Sequence, residues 1–250
     1  MNNSNKIQIR TDLALEIQED ILMNEPETVA KNMSHELKKL IKIKDETVLV
    51  VGLGNRNVTP DALGPVVIDR INVTRKIYNA SGICAIVPGV MAQSGMESTE
   101  MIKGIVKEIN AKYVIAIDSL AARNVKRLCT TIQLTDTGIN PGSGVGNNRI
   151  GLNEDTVGVP VIAIGVPMVV DAATIVSDTM DALINTLATQ LNISGLDGTL
   201  NSFSDNERYQ LVKELLEPQI GTLYVTPKDI DDNVKELGKI IAKAINKLKI

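Results

Sequence analysis

The feature that most constrains this chain is a series of short apolar runs, each too brief for a buried helix and each rich in β-branched residues. The first, ETVLVVGLG at residues 46–54, ends in glycine and reads as a strand covered on both faces. The same signature returns at 82–87, at 112–118 (KYVIAID), at 130–134 and at 159–165 (VPVIAIG). Helical spacing fills several of the intervals. Ser94 with Glu97 predicts a capping box ahead of the stripe Met101, Ile102, Ile105, Val106 and Ile109. Residues 169–187 and 228–248 read as two further amphipathic helices. Strands alternating with helices imply an α/β fold, a twisted and largely parallel sheet with helices on both faces, whose ligands sit beyond the carboxyl ends of the strands. The Gly/Ser/Asp-rich stretch 194–205 is the one linker expected, so 194–250 reads as a C-terminal helical extension packed on the domain formed by 13–193.

Composition narrows the function. No apolar run approaches the roughly 20 residues of a membrane-spanning helix, which predicts a soluble protein with no membrane partner. The polar, mixed-charge N-terminus lacks the apolar core of a secretory signal, so a cytoplasmic location is expected. Cys84 and Cys129 show no metal-ligand spacing and read as reduced, buried thiols. A net charge of -4, one Phe, four Tyr and no Trp argue against direct nucleic-acid binding, which favours a basic face and aromatic stacking platforms.

The carboxyl ends of the strands then supply the candidates. Asp61 follows the first strand in GLGNRNVTPDALGP, where Gly52 and Gly54 permit tight turning and Thr59-Pro60 can open a helix. It is either a charge at a helix N-terminus or an acid at a crevice. Asp118 ends YVIAID and is either a loop carboxylate pairing with Arg123 or a second acid at the same crevice. Two carboxylates held close share a proton, and such a pair can activate water and protonate a leaving amine.

Other motifs are weaker. Asp136-Thr137-Gly138 matches the short motif of all-β aspartic proteases, but the α/β pattern makes a loop residue of Asp136. The following INPGSGVGN, with Gly142, Ser143 and Gly144, reads either as a cradle of backbone N–H groups for substrate or as a mobile surface loop. Asp171, between an apolar run and a helix, reads as an N-cap with a possible role in binding substrate. Met91 and Met96 read as core packing. Asn57 stands where a dinucleotide fingerprint needs its third glycine. His35, the only histidine, lies in a polar helical stretch as a surface residue, which leaves too few parts for a Ser-His-Asp triad or a multi-histidine zinc site.

Taken together, RTDLALE at 10–16, VGLGNRNVTPDALGP at 51–65, PGVMAQSGMES at 88–98, AIDSLAARN at 116–124, TDTGINPGSGVGNNR at 135–149 and GVPVIAIGVPMVVDA at 158–172 resemble the germination protease family. LYVTPKDID near the C-terminus extends the likeness to nearly the whole chain. The resemblance implies an endopeptidase that degrades small acid-soluble spore proteins, made as a zymogen, assembled as a homotetramer and located in the spore core. It implies that Asp61 and Asp118 are the catalytic pair and that the fold is shared with hydrogenase maturation peptidases. Those peptidases bind a metal through comparable carboxylates and a histidine. No histidine follows Asp61, so a metal-free reaction without cofactor is expected, the alternatives being a metal-dependent peptidase and a non-catalytic spore-protein binding module. The chain is shorter than is typical of the family, notably after Tyr78. Finally, Asp12-Leu13-Ala14-Leu15-Glu16 is similar to the acidic, aliphatic, Ala, x, Glu pattern the family cuts, which implies a propeptide of residues 1–12 removed by self-cleavage between Asp12 and Leu13. Without the resemblance, the same residues would read as the start of an amphipathic helix.

Overall fold

The computed structural model describes residues 14–16, 25–41, 46–75, 81–143, 146, 149–191 and 204–248. Four apolar runs form the parallel centre of the sheet. β2 (Thr47–Gly52) lies between β3 (Gly82–Ile86) and β4 (Tyr113–Ala122), and β4 pairs in parallel with β6 (Val161–Asp171). Beyond β6 the direction reverses. β5 (Thr131–Thr135) pairs antiparallel with β6, β1 (Ala14–Glu16) pairs antiparallel with β5, and the short β7 (Tyr224–Val225) pairs antiparallel with the end of β6. The order β1-β5-β6-β4-β2-β3 is thus parallel over its larger part.

Side-chain alternation along the central strands feeds two cores. Val48, Val50, Ile115, Ile117, Ile162 and Ile164 face one side, where α1 (Pro26–Leu40), α2 (Leu63–Ile68) and α8 (Ile230–Asn246) cover them. Leu49, Val51, Val114 and Ala116 face the other, under Ile102 and Val106 of α4 (Ser98–Ile109) and Val157 of α5 (Glu154–Val157). Helices on both faces are what continuous apolar strands require, since neither side can be left to water. α8 therefore belongs to the central core, with Val234, Leu237, Ile241 and Ile245 all buried. α6 (Ala172–Leu191) and α7 (Asp205–Ile220) pack mainly on each other instead.

Several expectations are corrected here. β4 does not stop at Asp118 but runs four residues further, and β6 continues from Gly165 to Asp171 before α6 begins at Ala172. The two strands support each other past the point where β2 ends, so chain polarity alone does not mark the strand terminus. The capping box of α4 is made by Glu97 and Glu100, while Ser94 closes the short helix α3 (Met91–Ser94). Met91 and Met96 are 42% and 49% exposed and pack no core. His35 is exposed on α1. Cys84 and Cys129 are not joined in a disulfide and are only partly buried. Asp12, Leu13, Gly144 and most of the expected linker lie outside the described residues.

Candidate active site

At the carboxyl end of the parallel strands lies a cavity of about 650 Å³ whose walls include both Asp61 and Asp118. Glycine geometry brings Asp61 there. Gly52 and Gly64 touch so closely that a Cβ on either would strike backbone of the other segment, which seats α2 directly on the end of β2. Gly54 then turns with φ +103, a conformation costly for any other residue, and a Cβ on it would strike the Asp61 carbonyl. Asn55 N–H bonds both the Asp61 carbonyl at 3.0 Å and its Oδ2 at 2.8 Å, closing the loop on the short 3₁₀ turn Thr59–Asp61. Arg56 clamps the loop from outside through two bonds to Asp69, at 2.6 and 2.9 Å.

Asp118 comes from the middle of β4, in step with Val114 and Ala116, where β2 has just ended. It is 5% exposed. Its Oδ1 accepts the Ser119 N–H at 2.9 Å, which leaves Oδ2 to carry a proton. Burial, and next the charge of Asp61, push its carboxyl up to about 8, against the Ser119 hydrogen bond. Asp61 is half-buried; burial raises its pKa too, opposed by the Asn55 N–H. Each accepts one backbone N–H, so burial is what separates them as acid and base: Asp118 is dry, and Asp61 is wetter.

The remaining candidates divide. Gly142, with φ 72, and Ser143 line the cavity, although the Ser143 N–H is directed to the Asn140 carbonyl at 3.3 Å. Asp171 is not part of the cavity wall. Its Oδ1 accepts the Ala173 N–H at 2.8 Å at the start of α6, and its Oδ2 accepts the Tyr209 hydroxyl of α7 at 2.8 Å. Asp136 is exposed in the loop after β5. Sequence reasoning missed Ser119, Arg127, Gln133, Asn140, Arg149 and Tyr224, all of which line the cavity. They come from separate loops and strands, so no local spacing links them. Arg123 lines the cavity with Arg127 and Arg149, the last with Glu97 at 3.8 Å. Among the described residues, no group of three or more His, Cys, Asp or Glu side chains is placed to hold a metal ion, and no helix is long and apolar enough to cross a membrane.

An α/β sheet that presents a buried acid beside a more polar carboxylate in one crevice defines a fold and site suited to hydrolysis by general acid–base chemistry. The chain belongs to the germination protease family, whose model it matches over residues 8–194 and 189–249, and it is a peptidase of spore germination. It is 45% identical over 222 residues to a germination protease of Clostridium perfringens, covering 84% of this chain and 68% of that one. With the germination protease of Bacillus subtilis it shares 39% over 257 residues, covering 87% and 70%. Among solved structures, the [NiFe] hydrogenase maturation protease HycI from Thermococcus kodakarensis superposes with a TM-score of 0.41 at 14% identity, covering 85% of this chain and 99% of that one.

Proposed function

We propose that the chain cuts small acid-soluble spore proteins by means of water held between Asp61 and Asp118, without a metal. The observation that carries this reading is the buried Asp118 sharing one crevice with Asp61, an arrangement in which burial and the neighbouring charge favour its protonated form. Asp61, ionised, takes a proton from water as its oxygen attacks the peptide carbonyl, and Asp118 donates its proton to the carbonyl oxygen. In the collapse, the C–N bond breaks, the leaving nitrogen takes the proton from Asp61, and one hydroxyl of the intermediate returns a proton to Asp118. Both carboxyls end as they began. Gly142 and Ser143, which line the cavity, bind substrate together with the neighbouring Gly144. Asp171 acts on substrate binding from outside the cavity wall, since β7 pairs it with Tyr224, which lines the cavity. Arg123 on that wall suits an acidic substrate segment. The chain works in the spore core as a homotetramer, made as a zymogen that trims itself between Asp12 and Leu13.

The test is mass spectrometry of a purified spore-protein substrate after incubation with the parent protein, Asp61→Asn and Asp118→Asn. Each variant is expected to lose about a thousandfold or more in kcat while keeping its fold, as measured by circular dichroism. The same samples, with their N-termini sequenced, should show a new chain beginning at Leu13 only in the parent. Near-parental cleavage by both variants would refute the pair.

A further inference from the structure

β4 and its two neighbours end at different heights. On the β6 side, pairing persists to Ala122, opposite Val170. On the β2 side, the last ladder pair is Gly52 with Ile117, and the chain then makes one more bond, from the Leu53 N–H to the Ile117 carbonyl at 2.8 Å, before Gly54 turns it away. Four residues of β4, Ser119 to Ala122, therefore have a strand on one flank and the cavity on the other. All four line the cavity, although a strand with both flanks filled shows only alternate residues to one side.

The Leu53 bond also fixes which backbone groups face that opening. It shows the Ile117 carbonyl pointing to the β2 side, so by the two-residue repeat Ser119 and Ala121 point their backbone groups the same way. The Ser119 N–H is taken by the carboxylate of Asp118, and its hydroxyl is shut away from water without a hydrogen-bond partner. An orphaned hydroxyl in a polar crevice marks a place where a ligand group completes the bonding. An unpaired strand edge is a template for another extended chain.

The geometry points to the free edge of β4, Ser119 to Ala122, as the rail on which the substrate peptide docks as an added strand, occupying the position β2 vacates and passing between that edge and Asp61. The inference rests on the proposed peptidase reaction at Asp61 and Asp118. It assigns to Ser119 and Ala121 a positioning role: main-chain bonds from the rail hold the peptide extended, independent of its side chains, so that the scissile carbonyl is presented to the two carboxyls. Ser119, through its hydroxyl, supplies a further polar contact to the bound backbone.

The experiment uses the full chain and a ten-residue peptide copying residues 8–17, together with a set in which each backbone amide in turn is N-methylated. Affinity is measured by fluorescence anisotropy on the Asp118→Asn variant, which needs no turnover, and KM and kcat are measured on the parent. Docking on a strand edge predicts losses of about tenfold at alternate amides and near-parental binding at those between. Ser119→Ala is expected to raise KM by about fivefold to tenfold with kcat little changed, with Ser119→Thr restoring most of the loss. Losses spread evenly over the amides, or no loss at any, would overturn the rail, as would a Ser119→Ala variant with parental KM. The failure of the peptidase reading looks different: the alternating pattern would persist in binding while the parent released no product.

Discussion

The parallel block of β3, β2, β4 and β6 and the antiparallel flank of β5, β1 and β7 belong to one sheet but are built on different terms. In the block, β2 is buried along all six residues and both faces are covered by helices. In the flank, β1 and β7 are three and two residues long, and Val225 is 37% exposed. The block fixes the position of Asp118 through the buried strands on either side of it, at the cost of drying out a carboxyl that still borders the cavity. The flank supplies Gln133 and Tyr224 to the crevice wall, the first from β5, whose Ile132 and Leu134 reach the core, and the second from the two-residue β7, which is half-exposed. Burial is concentrated where the proposed chemistry needs a fixed acid; β5 shares that core through Ile132 and Leu134, and the contrast is sharpest at β7.

The sharpest way to break this contrast is to hollow out the block. Ile117→Ala, at a side chain that is 0% exposed one residue from Asp118, is expected to cost about 2–5 kcal/mol, read from the denaturation midpoint. A loss below about 1 kcal/mol would mean that the block is not the rigid part.

The next effect has the opposite sign. Asp118 in the folded chain keeps its proton up to about 8, whereas the unfolded chain releases it near 3.8. Below the lower value both states are protonated and burial of this carboxyl carries no ionic cost. As pH rises the unfolded state gains by ionising, so native stability falls progressively until the folded pKa is passed. Asp118→Asn escapes that cost. The variant should equal the parent at pH 3.5 and exceed it by roughly 2 kcal/mol or more near pH 8, because every tenfold fall in proton concentration between the two values favours the ionised, unfolded chain by about 1.36 kcal/mol. Parallel stability curves for the two proteins would remove the claim that the block pays for a dry acid.

The smallest effect belongs to the flank. Val225→Ala should alter stability by no more than about 0.5 kcal/mol in the same measurement. A change comparable to that of Ile117→Ala would place β7 in the same cooperative unit as the block.

The same contrast governs what the sequence reveals. Buried parallel strands read as unbroken apolar runs, so ETVLVVGLG and KYVIAID declare themselves, and Asp61 and Asp118 follow as the acids beyond them. The ends of β4 and β6 do not: SLAA opens on a serine beside the cavity, and the apolar VPMVV of β6 is interrupted by Pro167, which is uncommon inside a strand. Glu97 takes the cap expected of Ser94 because Ser94 is already engaged with Val90 and Met96. Met91 and Met96 look like core residues by type, but Met91 sits on the single turn of α3 and Met96 in the loop beyond it. Arg127, Gln133 and Tyr224 meet at one crevice only after the sheet has formed, and nothing local announces that meeting.

Between Leu120 and Ala121 the β4–β6 ladder slips: Leu120 faces Pro167, yet Ala121 faces Val169, so Met168 is surplus to the count on its strand. The two strands cover the same distance with unequal numbers of residues, as at a β-bulge. Length at this point is therefore a stricter requirement than identity. Methionine at 168 is open to exchange for another apolar side chain of similar volume, but its deletion would slide Val169, Val170 and Asp171 back by one step. Asp171 would then be out of line with Tyr224, and its link to Tyr209 would be severed. A single lost codon at this place would unfasten the α6–α7 pair from the sheet while leaving every other residue of the chain unchanged.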